Sequence, residues 1–554
     1  MCADALKTQG AGEIRNYKMR ENKPFAVLFA NVEDVREYAE VSREAEDLLK
    51  SPARPIVLLP KKEQGKRLGE GVLGNSSRIG AMLPSHPLQI LLLQEVSPLI
   101  MTSCNRGGEP LVTGEEEVRK VLQDGGAAYA IGHDRKIRMP LDDSIFQEKG
   151  GIQGNPGKFQ IIRRARGMVP EPVLLPKSLD RPVIAQGGDL KAVFALGYGK
   201  AAYLSGHFGD LEDEKARNSR IAGMKAFYKL YEVQPVESVE DLHPGYYAKM
   251  SEGTECKRSH AQHHVAHIAS VMAEHRLEDV LGIALDGTGY GPDHSVWGGE
   301  VLHVTRNGWK RVGSLEPVLL PGGDQAAKDG NLVLFSYLAH GLERGYLNRE
   351  DILPEHEYGV TLALAANANQ VNRIRSTSTG RLFDGVSCAL EISKRNSYEG
   401  ESAQMLEDAA RAGLRDNSEL HQDLINKYNL LNQHFIEKGE VPFLRTANLL
   451  CFIYLQMSLG YKKEVLAAFF HKMLAKGVVF LSQEVGRDKK IALSGGTWYN
   501  QVLTNEVYRE FEKMGQREED IFMNELVPAG DGGLALGQLW LNAYQVPSEE
   551  SLEC

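Results

Sequence analysis

Two histidines four residues apart are the first groups in this chain with the types and spacing for chemistry. They lie in Gln262-His263-His264-Val265-Ala266-His267, and Val265, Ile268, Ala269 and Met272 mark one apolar helical face around them. Residues i and i+4 project from the same side of a helix, so His263 and His267 are placed to chelate one divalent ion, with carboxylates from elsewhere completing the set. Surface or capping histidines would have the same spacing. A second group is Asp286-Gly287-Thr288-Gly289-Tyr290-Gly291, an aspartate at the end of an apolar strand followed by alternating glycines. Such a turn sets a carboxylate beside exposed backbone N–H groups that phosphate oxygens can approach; a plain hairpin turn reads the same way. A third is Ser494-Gly495-Gly496, after the strand-like Ile491–Leu493 and ahead of Asn500. In the fourth, Gly530-Asp531-Gly532-Gly533, Asp531 stands at a helix start, as a metal ligand beside a phosphate-facing helix N-terminus or simply as a cap.

The elements that must position these groups follow from the apolar pattern. Residues 24–180 read as mixed α/β: PFAVLFA, PIVLLPK and SPLIMTS are strand-like, and VEDVREYAEVSREAEDLLK is helical. RGMVPEPVLLPKSLDRPV, with four prolines, reads as a linker, and a domain boundary is expected near residue 180. VIAQGGDLKAVFALGYGKAAYLSGHFGDL reads as consecutive strands with hairpin turns at Gly-Gly and Gly-Lys. VLGIALDGTGYGPDHSVWGGEVLHV begins a second strand pair, and residues 400–480 are mostly helical. Two glycine-turned strand units predict a duplicated α/β domain with a cleft between its halves.

Composition sets the outer limits. With 42% apolar and 25% charged residues, the chain has the profile of a soluble globular protein of two to four domains. Net charge is −10 with no strongly basic block, which disfavours nucleic acid. No uninterrupted apolar run approaches the roughly 20 residues that span a bilayer, and MCADALKTQGAGE has no signal-peptide core. No membrane association and a cytoplasmic setting are expected. The six cysteines, Cys554 among them, include no C-x-x-C pair and read as reduced thiols.

Taken in order, H-x-x-x-H, ALDGTGYG, LSGG with a later Asn, and AGDGG-x-x-LGQ resemble the carbamoyltransferase branch of the actin/Hsp70-like ATPase superfamily. GGDLKAVFAL, YLSGHFGDLED, DLHPGYYA, HVAHIASVMAEH, LPGGDQAAK and STGRLFDGVS resemble the HypF family of hydrogenase-maturation carbamoyltransferases within it. The resemblance implies a YrdC-like α/β domain over 1–180, then an actin/Hsp70-like (RNase H-like) domain over 181–554 whose second subdomain begins near 279. It implies that His263, His267, Asp286 and Asp531 hold a divalent ion, iron or zinc suiting the mixed ligands better than magnesium. Lys191, Arg381 and Asp384 are the implied catalytic residues. Gly287, Gly289, Glu399, Ser494, Gly495, Gly496 and Asn500 are implied in nucleotide binding. In the front domain Lys18, Arg20 and Lys23 match the family's basic motif, and Ser103 and Asn105 match its T-S-x-N turn, implied to bind ATP with magnesium.

The implied reaction is ATP-dependent carbamoyl transfer through carbamoyl-adenylate, from carbamoyl phosphate or carbamate, to the C-terminal cysteine thiol of a HypE-like partner, for cyanide ligand synthesis. The alternatives are an O-carbamoyltransferase acting on a small-molecule hydroxyl and a non-catalytic nucleotide-binding relative. The family's acylphosphatase-like domain and C-x-x-C zinc modules have no counterpart in the sequence, and the YrdC-like domain is expected to be shortened at its start. Asp329-Gly330-Asn331 and Thr497-Trp498-Tyr499 also depart from the family pattern.

Overall fold

The computed structural model describes the chain except at residues 108, 133, 136, 138, 151–157, 250–255, 324, 417, 432–434, 488 and 552–554, so Cys554 lies outside the described residues. The chain forms two compact units. The first contains Met1–Lys149, Asn155–His260 and Asn524–Ala543; the second contains Ala261–Met523 and the residues from Tyr544 onward.

The first unit carries two sheets. Strands β1 (Cys2–Asp4), β2 (Ala26–Leu28), β3 (Ile56–Pro60), β4 (Arg78–Met82), β5 (Leu99–Met101), β6 (Ile145–Glu148) and β7 (Phe159–Arg163) form a seven-stranded sheet in the order β1-β5-β2-β4-β3-β6-β7. The helical stretch after β2 is two helices, Val32–Tyr38 and Arg43–Lys50, because Asn31 and Ser42 each cap a fresh start. Phe25, Val27, Phe29, Val35, Leu49 and Val57 pack together beneath them.

The second sheet has β8 (Val173–Ala185), β9 (Ala195–Leu204), β10 (Glu237–Asp241) and β11 (Lys257–Ala261) in the order β11-β10-β8-β9. From Val173 on, the proline-rich stretch expected as a linker is therefore a strand, and residue 180 lies inside it. Its prolines are tolerated because Pro176 and Pro182 fall where the β8–β9 register shifts, between the paired Leu174, Leu179 and Val183. Gly199-Lys200, expected as a hairpin turn, lies inside β9, where Gly199 pairs with Leu179. The helix Leu534–Tyr544 belongs to this unit up to Ala543. Gly187 N–H donates to Gln538 Oε1 at 2.8 Å, and Gln538 Nε2 donates back to the Gly187 carbonyl at 3.2 Å.

The second unit is built on nine strands: β12 (Asp279–Tyr290), β13 (Val296–Thr305), β14 (Gly308–Leu315), β15 (Val318–Pro321), β16 (Arg373–Ser376), β17 (Ile436–Glu437), β18 (Phe443–Leu444), β19 (Ile491–Ser494) and β20 (Ile521–Met523). The main path runs β17-β18-β14-β13-β12-β19-β20, with β12, β19 and β20 mutually parallel. β12 is nearly all apolar up to Leu285 and buried, as a central strand must be. Helices Glu401–Asp416, Thr446–Ser458 and Lys463–Gly486 occupy the expected helical stretch. Lys463–Gly486 is long and apolar enough to cross a membrane by length and composition, but 83% of its apolar window is buried inside the protein, as in a core helix.

The two departures from the family pattern have structural work to do. Asp329 caps the helix Gly330–Glu343 by accepting from Asn331 N–H at 2.9 Å. Trp498 is fully buried and donates from Nε1 to the Ile283 carbonyl at 3.1 Å.

Candidate metal and nucleotide site

In the second unit the histidine helix, His263–His275, starts from the N-cap Gln262 and is buried along nearly its whole length. His263 and His267 are both 0% exposed, so neither is a surface histidine, and the cap of the helix is Gln262. Each places Nε2 3.5 Å from the same oxygen, Asp286 Oδ2. That is too long for a good hydrogen bond, but it is close to ~3.4 Å, the ligand–ligand edge of a tetrahedron with bonds of about 2.1 Å. The ligand atoms of His263, His267 and Asp286 all lie within 4.8 Å of one another. Burial works against ionisation of Asp286, yet the two imidazoles hold its carboxyl well below the usual carboxylate range. Burial, with His263 alongside, pushes His264 well below the ordinary histidine value, so it is neutral.

The remaining oxygen of Asp286 is already engaged. Gly496 N–H donates to Oδ1 at 2.9 Å, while Oδ2 faces the histidines. The parallel pairing of Ala284 with Ser494 brings both turns out at the same ends of neighbouring strands, the usual place for a ligand site in such a sheet. Gly495 is fixed there by geometry: its φ is +108°, and a Cβ would sit 2.2 Å from the Leu285 carbonyl oxygen. Gly289 has a packing reason instead, since a Cβ there would meet His264 Cε1 at 2.5 Å and His263 Cδ2 at 2.8 Å. Gly287 has open space on its Cβ side. Asn500 is buried and its amide is occupied: Oδ1 caps Leu503 N–H at 2.9 Å, and Nδ2 lies 2.9 Å from His471 Nε2.

Arg381 and Asp384 lie on the first turns of the helix Thr379–Ala389, paired at 3.0 Å with side chains 15% and 4% exposed. A solvated surface pair would be far more open. Burial pushes the Asp384 carboxyl up, against Arg381 and the Asn396 amide that donates to it at 2.9 Å. Arg381 Nε and Nη1 are buried without a hydrogen-bond partner among the described residues. Sequence reasoning missed what holds this helix. Ser378 caps it and donates to the Gly287 carbonyl, and Thr379 donates to the Gly298 carbonyl at 2.6 Å. Buried Glu300 accepts from Gly298 and Gly299 N–H at 3.1 and 3.2 Å and from Arg311 Nε at 2.7 Å. The capping run Ser376-Thr377-Ser378-Thr379 was the available signal. Glu399 is exposed on the segment before Glu401–Asp416.

In the first unit Asp531 opens a short 3-10 turn before the C-terminal helix, with Gly530 as the cap residue. A Cβ on Gly188 would lie 3.5 Å from Asp531 Oδ2, so the Gln186–Lys191 turn and Asp531 are neighbours. Lys191 adopts φ +47° and donates its backbone N–H to Asp210 at 2.9 Å. Asp189, which the sequence reading passed over, accepts from Tyr247 and Ala248 N–H at 2.9 and 2.7 Å.

The three cations of the front domain do not behave alike. Lys18, 3% exposed, donates Nζ to the Ser103 carbonyl at 2.9 Å, the Asn105 carbonyl at 2.6 Å and Asn105 Oδ1 at 3.2 Å. Arg20 folds back over Phe25 at 5.1 Å and donates to the Pro24 carbonyl at 2.9 Å, while Lys23 is exposed. Ser103 donates to Asn105 Oδ1, completing a small closed turn. Burial, with help from Arg20, lowers Lys18 from its ordinary 10.5 to about 8.

Comparison with known proteins places these features in a family. Residues 282–538 match a family described as carbamoyltransferase, Kae1-like domain, second subdomain; residues 178–274 match the HypF Kae1-like domain. Residues 1–165 match the Sua5/YciO/YrdC family, described as telomere recombination. Carbamoyltransferase HypF of Rhizobium leguminosarum bv. viciae is 33% identical over 97% of this chain and 68% of its own length. That of a Synechocystis strain is 31% identical over 97% and 69%. A full-length HypF solved in the phosphate- and nucleotide-bound form superposes with a TM-score of 0.86 at 32% identity, covering 98% of this chain and 82% of that one. The HypF of T. kodakarensis gives 0.83 at 30% identity, covering 98% and 70%. With its fold and its sequence matched over nearly the whole length, the chain belongs to the HypF family and is a carbamoyltransferase.

Proposed function

We propose that this carbamoyltransferase acts in hydrogenase maturation, forming carbamoyl-adenylate from ATP and carbamoyl phosphate or carbamate and passing the carbamoyl group to the C-terminal cysteine thiol of a HypE-like protein. The observation that carries the reading is the convergence of His263, His267 and one oxygen of Asp286, with the other oxygen anchored by Gly496. Asp531 is the proposed fourth ligand. The donor set fits iron or zinc. Such an ion, when bound, neutralises phosphate charge and acts as a Lewis acid. The chain's own contribution is placement: Gly495 and Gly496 form a side-chain-free turn beside Asp286, and Lys191 belongs to a second glycine turn next to Asp531. Arg381, with unmet donors, is the proposed clamp for the acyl oxygen, and Asp384 orients it. In the YrdC-like region Lys18 shapes the Ser103–Asn105 turn proposed to bind ATP with magnesium. A cytoplasmic setting belongs to the same reading. Incubation with ATP, labelled carbamoyl phosphate and a purified HypE-like protein should place label on the acceptor's terminal thiol. Label on a sugar hydroxyl instead would favour the O-carbamoyltransferase alternative, and nucleotide binding without ATP–pyrophosphate exchange would favour a non-catalytic relative.

Lys18 gives that assay a pH signature. Above pH about 8 it loses its proton, so attraction for phosphate weakens and ATP–pyrophosphate exchange should fall. Stability moves the other way. Between about 8 and the ordinary 10.5, the unfolded chain binds this proton more than the folded one, so the Lys18 contribution to stability grows as pH rises. Lys18→Arg should flatten the alkaline limb of exchange; an unchanged limb would remove Lys18 from the site.

A further inference from the structure

Gln262, the cap of the histidine helix, is 1% exposed and every polar atom of its side chain is engaged. Its Oε1 accepts from Val265 N–H at 2.9 Å, capping the histidine helix. Its Nε2 donates to the Tyr290 carbonyl, at the end of β12, at 3.1 Å and lies 3.4 Å from His264 Nδ1. The amide cannot be turned over. A flip would set its NH2 group against the Val265 N–H and its oxygen against the Tyr290 carbonyl. With the amide N–H facing Nδ1, that atom must hold a lone pair, so the His264 proton sits on Nε2. This Nε2 is buried without a partner among the described residues. The rings of His264 and His263 are 5.3 Å apart, and both press on the bare Gly289.

We propose that Gln262 is a positioning residue for the metal centre: one amide caps the histidine helix, ties it to the end of β12 and fixes His264 as the Nε2–H tautomer. The inference rests on the reading of His263 and His267 as ligands. Helix and strand bear the two sides of the ligand set, His263 and His267 on one and Asp286 on the other. The Gln262–Tyr290 bond therefore holds them in register, as outer hydrogen bonds orient ligands in metal sites generally. His264 then offers a single N–H toward a small acceptor, such as a water or an anion oxygen.

The roles of Gln262 separate by substitution in the full chain. Gln262→Asn and Gln262→Glu keep a capping oxygen but lose, by length or by charge, the donor to Tyr290. Gln262→Leu loses both and serves as the folding reference. Affinity for Zn²⁺ and for Fe²⁺, measured by chelator competition, should weaken about tenfold to a hundredfold in the Asn and Glu variants, with the melting temperature of the Asn variant near that of the wild type and that of the Glu variant lower, because its second oxygen faces the Tyr290 carbonyl. Wild-type affinity in either variant would reduce Gln262 to a helix cap and overturn the proposal. His263→Ala and the wild type run beside them. If the wild type binds neither ion, or His263→Ala binds as well as it does, the ligand reading has failed and this inference with it. Loss in His263→Ala with full affinity in Gln262→Asn isolates the failure to Gln262.

Discussion

His263→Ala is expected to strip the protein of its divalent ion and to lower carbamoyl transfer by at least about a hundredfold. Two imidazoles meet one carboxylate oxygen in a fully buried corner. Removing one takes an imidazole from the proposed set of four and leaves His267 and two carboxylates, a poorer donor set for iron or zinc. The other oxygen of Asp286 is tied to Gly496, so the carboxylate cannot swing across to compensate. The vacated volume costs stability as well, and His263→Gln therefore accompanies it as a variant closer in size. Metal analysis of the folded variants, confirmed by circular dichroism, is the check. Undiminished metal content in both would sink the assignment.

The second large effect is expected at Arg381. Its Nη2 is paired with Asp384, but Nε and Nη1 are buried with nothing to bond among the described residues. Leaving such donors unmatched costs roughly 1–3 kcal/mol each, which makes sense where a ligand supplies the acceptor. Arg381→Lys keeps the charge and loses the planar fork. It should lower the transfer rate by about 10²–10³, the effect of removing one donor aimed at a developing oxyanion, with metal content unchanged. Arg381→Met should do the same and let Asp384, already pushed up by burial, take a proton. Wild-type transfer in Arg381→Lys would assign the pair to structure alone.

Much of the second unit was legible because its chemistry is local. The i, i+4 histidines needed only a helix, and Ile491–Ser494 needed only an apolar run before glycines. What could not be read was where side-chain atoms are spent. Asn500 and Gly289 follow motif spacing, but one caps a helix and the other makes room for two imidazoles. Lys18, Arg20 and Lys23 look alike in sequence, yet burial and local acceptors send them to three different fates. Strand β8 was hidden by prolines whose penalty is removed at register shifts, a property of the pairing partner rather than of the strand. Glu300 was silent because a buried acid announces itself only through what surrounds it.

The bond between Gln538 and Gly187 joins residues 351 positions apart, and Asn524–Ala543 belongs to the first unit although the whole of Ala261–Met523 intervenes. A chain leaving the ribosome exposes residues 1–260 long before the helix that completes them exists. The first unit must therefore wait, with the Gln186–Lys191 turn unsupported, while the inserted unit is synthesised. Contacts of such long sequence separation form slowly, and nascent chains in this state expose apolar surface. Deleting the helix Leu534–Tyr544 should accordingly harm the first unit before the second, and the nascent chain has most need of a holding chaperone until that helix has been made.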